Sequence, residues 1–258
     1  MTTAKPGDAV LLSFNFCAKC ATCKAGNPGL CYEFAPLNFL DNPSFAFAKN
    51  KEQNPEQLPE MGGRFFGQSS FANFSVVGEA SVVNANDLVN SKEELQLFAP
   101  LGCGIQTGSG TVVNVAKAGE GDAIAIQGLG GVGLSAIMAA KIQGCRIVIG
   151  IDRVESRLRA AKEFGATHVV DTSQLPAGKT VTEVVQEIAD GVGPNITIET
   201  TGVPVLIKSA LEMTRQGGKI IQVGSAPADF QLEIPVFGFM VAGKVSFSVF
   251  LTRCLSPC

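Results

Sequence analysis

Four cysteines near the start of the chain have the spacing of a metal site. Cys17, Cys20 and Cys23 are three residues apart, and Cys31 follows a segment rich in Gly and Pro. Four thiolates this close suit tetrahedral zinc with no coordination position left for a substrate, which is typical of a structural site. Two disulfides or free thiols are the alternatives. The N-terminus lacks the regions of a secretory signal, so a reducing compartment, and therefore metal, is favoured.

A second group of residues has the spacing of a nucleotide-binding turn. A short apolar run over residues 123–127 leads into the motif G-x-G-x-x-G, and a helix is predicted from Leu134 to Lys141. The turn consists of Gly128, Leu129, Gly130, Gly131, Val132 and Gly133. In this context the three motif glycines allow a tight turn, a close approach to a pyrophosphate and close helix–strand packing. The phosphates would lie at the helix N-terminus, where unpaired N–H groups favour anions.

An acidic residue ends the next apolar run. Asp152 follows the predicted strand 146–151 at about the offset of a carboxylate that holds the adenosine ribose. A carboxylate there would repel a 2′-phosphate, so the expected cofactor is NAD rather than NADP. An alternative role for Asp152 is the N-cap of a capping box with Glu155. The two roles are compatible.

The elements that must position these residues alternate regularly after residue 122. Strands are predicted over 167–171, 195–200 and 218–223, and helices over 154–164, 181–189 and 205–213. Alternation with short links predicts a parallel sheet flanked by helices. In the first hundred residues we predict a strand over 8–14, a long surface loop over 34–63, and β structure over 65–77 and 81–83. That part of the chain is therefore predicted to be a small β lobe.

Composition excludes several classes of partner. The chain has 258 residues, a net charge of −3 and a sequence pI of about 5.3. It has neither a run of basic residues nor an apolar segment long enough for a bilayer, so we expect no nucleic-acid partner and no membrane partner. The expected location is cytoplasmic.

Three other residues with reactive or titratable side chains are less informative. Cys103 lies between glycines at the expected junction of the two lobes, and from the residue alone it could be a metal ligand, a nucleophile or a buried thiol. Composition favours the buried thiol. Cys145 is predicted to be a small core residue. His168, the one histidine in the chain, is expected to be a partly exposed structural residue.

Together these segments resemble the zinc-dependent medium-chain alcohol dehydrogenases, most closely their aryl-alcohol (benzyl-alcohol) branch. The matching segments include GDAVLLSFNFCAKCATCKAGNPGLC, FFGQSSFANFSVV, PLGCGIQTGSGTVVNV, GLGGVGLSAIMAAK, FGATHVVD, ETTGVP and GGKIIQVG, in the family's order. The implied fold is α/β, a Rossmann doubly wound parallel sheet preceded by a partial GroES-like β lobe with a structural zinc loop. The implied domains are 1–100 (GroES-like), 101–243 (NAD-binding) and 244–258 (a divergent tail).

The resemblance also implies roles for particular residues. It assigns the structural zinc to Cys17, Cys20, Cys23 and Cys31, and the pyrophosphate turn to Gly128, Gly130, Gly131, Val132 and Gly133. Cys103 matches a catalytic-zinc ligand, and Thr107 matches a threonine beside the nicotinamide. Asp152 and Arg157 match the ribose site, and the backbone of Val223 matches a nicotinamide contact. The implied reaction is hydride transfer between an alcohol and NAD, with zinc as the Lewis acid. The family pairs through the nucleotide domain, so a homo-oligomer is implied.

The sequence departs from the family at the catalytic zinc. The family supplies a further Cys and a His from a Gly-His-Glu motif, whereas this chain has only His168, inside the nucleotide domain. The chain therefore resembles the middle of a dehydrogenase that lacks both ends of one lobe. By family we expect an NAD-dependent dehydrogenase of a primary, aromatic alcohol, with little or no turnover by this chain alone. The alternatives are a non-catalytic NAD-binding fragment with structural zinc and, ranked last, a zinc-free quinone or enoyl reductase of the same superfamily.

Overall fold

The computed structural model describes residues 3–39, 45–46, 60–61, 65–68 and 73–248. The chain divides into two compact units, Met1–Gly102 and Cys103–Cys258. The division falls two residues after the end of the predicted first domain.

The first unit contains short helices and two small antiparallel sheets. Its elements are β1 (Val10–Leu12), α1 (Ala21–Lys24), α2 (Phe34–Asn38), β2 (Phe45–Ala46), β3 (Glu60–Met61), β4 (Val82–Asn84) and α3 (Lys92–Phe98). Strand β1 pairs with β4, and β2 pairs with β3. The buried side chain of Asn38 accepts from Asn15 N at 2.9 Å and donates to Asn15 O at 2.8 Å. This pair of hydrogen bonds ties α2 to the segment that follows β1.

Several boundaries in this unit differ from the sequence-based expectations. The predicted loop over 34–63 contains a helix and two short strands, and the predicted strand over 8–14 is shorter. The β structure expected over 65–77 is wrong for its described residues, where Phe65–Gly67 forms a 3-10 turn. Aromatic packing organises this region, since the Phe39 ring lies 5.2 Å from that of Phe66 and 5.8 Å from that of Phe34. A contact between rings as far apart in the sequence as Phe39 and Phe66 leaves no periodic signal.

The second unit is a parallel sheet between helices. Its elements are α4 (Gly104–Gly110), β5 (Ala123–Gln127), α5 (Gly131–Ile142), β6 (Ile147–Asp152), α6 (Glu155–Phe164), β7 (His168–Asp171), α7 (Val181–Ile188), β8 (Ile196–Glu199), α8 (Pro204–Met213), β9 (Lys219–Gln222), α9 (Val236–Val241) and β10 (Val245–Ser248). The strand order is β10-β9-β8-β5-β6-β7, and every pairing is parallel. The predicted doubly wound sheet is confirmed. The edge strand β10 lies within the segment that the sequence analysis assigned to a divergent tail.

The core of this unit lies on both faces of the sheet. Helices α5 and α6 cover one face and α7 and α8 cover the other, so β5 and β8 are buried along their whole length. Cys145 is buried in this core, as predicted. Within the described residues, no helix combines the length and apolar character needed to cross a membrane.

Two structural features are found near the carboxyl edge of the sheet. Chain order runs from β5 to β6 and β7 on one side, and from β8 to β9 and β10 on the other, so the order reverses between β5 and β8. Helix α4 packs against the start of α5 so closely that a Cβ on Gly108 would lie 2.0 Å from Val132 O. Helix α4 then continues as a π-helix over Thr111–Ala116. Open α/β sheets bind ligands at such a reversal point, outside the carboxyl ends of the strands.

Candidate zinc loop and nucleotide crevice

The structure brings the four predicted zinc ligands together. The sulfur atoms of Cys17, Cys20, Cys23 and Cys31 all lie within 4.8 Å of one another. The Cys20 and Cys23 sulfurs are 3.4 Å apart, and those of Cys17 and Cys23 are 3.9 Å apart. Ligands at a Zn–S distance of about 2.3 Å in a tetrahedron are separated by about 3.8 Å. The sulfur positions therefore fit one tetrahedral zinc ion.

Local structure explains why the four sulfurs converge. Cys20 is the N-cap of α1 and Cys23 lies in that helix, while the 3-10 turn Pro28–Leu30 leads directly into Cys31. The Thr22 hydroxyl lies 2.8 Å from Leu30 O and 3.1 Å from the Cys20 sulfur, so it connects the two ends of the loop. Backbone amides approach the sulfurs, with Cys20 N 3.3 Å from the Cys17 sulfur and Cys17 N 3.4 Å from the Cys31 sulfur. Such N–H groups stabilise negative charge on sulfur.

The thiols of this loop are not equivalent without metal. The Thr22 hydroxyl, assisted by the backbone amides of Tyr32 and Cys23, lowers the pKa of Cys20 to about 5. Burial raises the pKa of Cys23 to about 12, and the neighbouring Cys20 and Cys31 sulfurs act in the same direction. Zinc binds thiolates, so filling this loop with zinc would release protons from those thiols that are neutral without metal.

The glycine turn between β5 and α5 leaves an open cradle. Gly128 has φ +85, and a Cβ on Gly133 would lie 1.8 Å from Gly128 O, so these two positions require glycine. A Cβ on Gly130 or Gly131 would meet nothing within 4 Å. The space in front of the turn is therefore free beside the N-terminus of a twelve-residue helix. That space and those N–H groups fit a pyrophosphate.

Asp152 joins this turn to the end of β6. Its carboxylate accepts from Leu129 N at 2.7 Å, Arg153 N at 2.7 Å and Val154 N at 3.0 Å. One guanidinium nitrogen of Arg157 lies 3.6 Å from the same carboxylate. A carboxylate has about four acceptor directions, so one remains for a ribose hydroxyl. The predicted capping box is not formed, because Val154 rather than Asp152 is the N-cap of α6.

Residues predicted at the junction lie on or beside α4. Cys103 is exposed and is the N-cap residue of α4, and Thr107 is buried on the same helix. The expectation that Cys103 is buried, which composition favoured, is wrong. Among the described residues, the four-cysteine group is the one set of three or more His, Cys, Asp or Glu side chains close enough to hold a metal ion. The described residues therefore do not bring partner ligands to Cys103.

The other two residues discussed from the sequence lie at the ends of strands. His168 is exposed at the start of β7, and its Nδ1 is 2.9 Å from the Thr167 hydroxyl oxygen. The structural role expected for His168 agrees with this position at the edge of the sheet. Val223 follows β9, and its backbone N donates to Glu199 O at 2.8 Å. This hydrogen bond holds the end of β9 beside the end of β8.

The turn that follows β8 lies within the matching segment ETTGVP, but no role was predicted for it from the sequence. The Thr200 hydroxyl lies 2.8 Å from Gln127 O and 2.9 Å from Gly128 O, so this turn packs directly on the glycine turn. A Cβ on Gly128 would lie 2.6 Å from a methyl group of Thr201. The signal available in the sequence was the acidic Glu199 at the end of a buried apolar run.

A separate cavity of about 330 Å³ lies in the second unit, between α8 and the segment around α9. Leu211, Phe239 and Lys244 are among its lining residues. It includes none of the residues of the glycine turn. We use the term nucleotide crevice for the glycine turn and the turns that follow β6, β8 and β9. This crevice is an open edge of the sheet and is distinct from the cavity.

Comparisons with known proteins agree with this fold. A family profile described as zinc-binding dehydrogenase matches residues 131–254. Geraniol dehydrogenase of Castellaniella defragrans is 38% identical over 227 residues, which cover 88% of this chain and 58% of the relative. A probable alcohol dehydrogenase of a Pseudomonas species is 34% identical, with 86% of this chain and 67% of the relative covered.

A solved structure is also similar to this chain in both fold and sequence. The crystal structure of benzyl alcohol dehydrogenase from Acinetobacter calcoaceticus superposes with a TM-score of 0.80 at 35% identity, covering 98% of this chain and 65% of that one. The chain thus spans about three fifths to two thirds of the length of these relatives. The resemblance seen in the sequence is confirmed, and this chain belongs to the zinc-binding dehydrogenase family.

Proposed function

We propose that this chain binds NAD at the carboxyl edge of its sheet and is part of an NAD-dependent alcohol dehydrogenase. The observation that carries the proposal is the open glycine cradle at the reversal point of the strand order. The relatives named for geraniol and benzyl alcohol support a primary alcohol, and the sequence resemblance favours an aromatic one. NAD, when bound, accepts the hydride that the alcohol carbon loses.

Different residues of the crevice bind different parts of the dinucleotide. The amides at the start of α5 would donate to the pyrophosphate, for which the space beside Gly130 is open. Asp152, whose carboxylate lies 3.6 Å from Arg157, would accept from the adenosine ribose. That carboxylate repels the 2′-phosphate of NADP. By the sequence resemblance, Thr107 and the backbone of Val223 lie against the nicotinamide.

We propose that the four-cysteine loop holds one structural zinc. Its thiolate-rich set of donors, with sulfur separations of 3.4 and 3.9 Å, suits a closed tetrahedral site. Such an ion maintains the loop and takes no part in hydride transfer. A catalytic zinc requires three protein ligands and an open position. The described residues supply Cys103 alone, so they do not fit a catalytic centre.

This misfit favours a second candidate function, an NAD-binding module that carries structural zinc but does not turn over alcohol. Elemental analysis of the desalted protein, together with calorimetric titration of NAD, separates the candidates. We expect one zinc per chain, and NAD bound more tightly than NADP. NADH formation from benzyl alcohol, with two zinc ions per chain, would establish the dehydrogenase for this chain itself. NAD binding without NADH formation would establish the module, and a folded chain that binds no NAD would refute both.

We also propose a cytoplasmic protein that forms homo-oligomers through its second unit. The clustered thiols support a reducing compartment. Val236, Phe237 and Met240 on α9 are each at least 66% exposed, and β10 is an edge strand of the sheet. Light scattering of the purified chain tests the association, and a single monomeric mass across the micromolar range would contradict it.

A further inference from the structure

The carboxylate of Glu199 is fully buried at the end of β8, next to the reversal point of the sheet. Burying a carboxylate is costly unless hydrogen bonds replace the water it loses. One oxygen accepts from Thr201 N at 2.7 Å and from the Thr201 hydroxyl, and the other accepts from Gly202 N at 3.0 Å and Gln222 Nε2 at 2.8 Å. All four partners are donors, which is the environment of an acceptor-only group.

These hydrogen bonds fix the turn that supports the glycine cradle. Glu199 holds the backbone of Thr201 and Gly202, and the preceding Thr200 donates to the carbonyl groups of Gln127 and Gly128. The Gly128 carbonyl oxygen in turn sets the closest approach of α5, at Gly133. An unbroken series of contacts therefore leads from the Glu199 carboxylate to the first turn of the helix that faces the pyrophosphate.

Glu199 also contacts the loop that follows β9. Glu199 O accepts from Val223 N at 2.8 Å and from Gly224 N at 3.0 Å. The Gln222 side chain, which donates to the Glu199 carboxylate, also donates to Gly224 O at 2.8 Å. The loops after β8 and β9 thus meet at one buried acid, and Thr200 connects the loop after β5 to them.

We propose that Glu199 is the positioning residue of the nucleotide crevice, because its carboxylate sets the geometry of the turns on which the dinucleotide rests. Glu199 has no exposed surface and does not touch the ligand, so it acts through Thr200 and Thr201. This inference rests on the proposed NAD binding. A purely structural role predicts only a loss of stability, whereas a positioning role predicts a change in the crevice in a chain that remains folded.

The decisive variant is Glu199→Gln in the full chain. Glutamine has the same size, but its amide places N–H groups opposite one pair of the four donors. The matched control is Thr197→Val, two residues earlier on the same face of β8. It removes the equally buried hydrogen bond between the Thr197 and Thr214 hydroxyls, 2.7 Å apart, without touching any crevice loop.

The first readout is hydrogen exchange without ligand. In Glu199→Gln we expect exchange on the order of tenfold faster in peptides covering residues 127–134 and 199–204, which corresponds to about 1.4 kcal/mol of lost protection. In Thr197→Val these peptides should exchange as in the wild type. Equal exchange of the crevice peptides in the two variants would overturn the inference.

The second readout is affinity for NAD and for adenosine, which lacks the pyrophosphate. Glu199→Gln should bind NAD about tenfold more weakly but adenosine within about twofold of the wild type, because the pyrophosphate needs the displaced turn whereas the Asp152 carboxylate is also held by Arg153 N and Val154 N. Thr197→Val should bind both as the wild type does. A folded Glu199→Gln chain with unchanged NAD affinity would overturn the inference.

A milder variant covers the case in which Glu199→Gln does not fold. Gln222→Met removes one of the four donors, and we expect NAD affinity to fall about threefold with faster exchange over residues 199–204. Wild-type behaviour of this variant would overturn the inference. If the wild-type chain binds no NAD, the proposed function fails, while the exchange pattern still decides whether Glu199 positions the turns.

Discussion

At the scale of single residues, Gly130 offers a sharp test of the cradle. Its φ of −74 is accessible to alanine, and an added Cβ would meet no protein atom within 4 Å. We therefore expect Gly130→Ala to keep the stability of the wild type. We also expect NAD to bind at least about tenfold more weakly, because the methyl group fills the space that the pyrophosphate needs.

The control for this change is Gly119→Ala, which also meets nothing within 4 Å but lies outside the crevice. Calorimetry with NAD and thermal unfolding measure the two effects separately. Unchanged NAD affinity in Gly130→Ala would place the pyrophosphate elsewhere.

Cys103 and Cys145 should differ in their reactions with alkylating agents. Cys103 is exposed, whereas burial, with help from the Asp122 charge, raises the pKa of Cys145 to about 11. The reactive form is the thiolate, so Cys145 should stay unmodified at pH 8 and react only as the pH approaches 11. Peptide mass spectrometry after iodoacetamide treatment of the zinc-loaded chain measures this. Equal rates for the two residues at about pH 8 would contradict the burial of Cys145.

At the scale of elements, the capping box of α7 should make stability depend on pH. Thr180 accepts from Glu183 N, and its own backbone N–H donates to the Glu183 carboxylate. That N–H lowers the pKa of Glu183 from its ordinary value of 4.5. A lowered pKa stabilises the folded chain above the unfolded pKa, and this contribution is lost as pH falls through the folded pKa.

Glu183→Gln should therefore unfold at lower urea concentration than the wild type at neutral pH, with the difference shrinking below pH 4.5. Glu187→Gln on the same helix is the control, because it removes the same charge outside the cap and its exposed ion pair with Lys179 contributes little. A difference between Glu183→Gln and the wild type that is independent of pH would contradict this assignment.

The sequence predicted the elements of the second unit well, for a physical reason. Strands β5 and β6 are buried on both faces and appear in the sequence as short, mainly apolar runs. Helix α4 was not predicted, since glycine disfavours helices. Gly108 nevertheless belongs there, because α4 packs in backbone contact with Val132. Tertiary packing therefore outweighs local propensity at this element.

The same reasoning explains what the sequence revealed of the sites. The zinc cysteines lie in one short segment, so their spacing alone predicted that they meet. The glycine turn was likewise recognisable from local spacing. The role of Glu199 depends on Gln222, which is 23 residues away, and on Gln127, which lies on another strand. Contacts of that kind leave no pattern in one sequence.

At the scale of the whole molecule, the two units should respond differently to loss of metal. The zinc loop belongs to the first compact unit and the nucleotide crevice to the second. Zinc binding to such cysteine sets provides on the order of 10 kcal/mol, so chelation should unfold the loop. The second unit has its own core and should keep its NAD affinity.

Hydrogen exchange and NAD titration before and after chelation measure both outcomes, and added zinc should restore protection of residues 17–31. Loss of NAD affinity on chelation, restored by zinc, would show that the crevice depends on the metal. Retained protection of the loop in zinc-free protein would contradict the metal assignment.

The distance along the chain between interacting residues sets an order of assembly during synthesis. The zinc ligands span only Cys17 to Cys31, so the loop can close as soon as that segment leaves the ribosome. The crevice can form only after Thr200 and Gln222 have been synthesised, because Thr200 contacts Gln127 and Gln222 contacts Glu199. At about 5–20 residues per second, translation from Cys31 to Gln222 takes roughly 10–40 s. The nascent chain can therefore take up its metal well before it can hold a nucleotide.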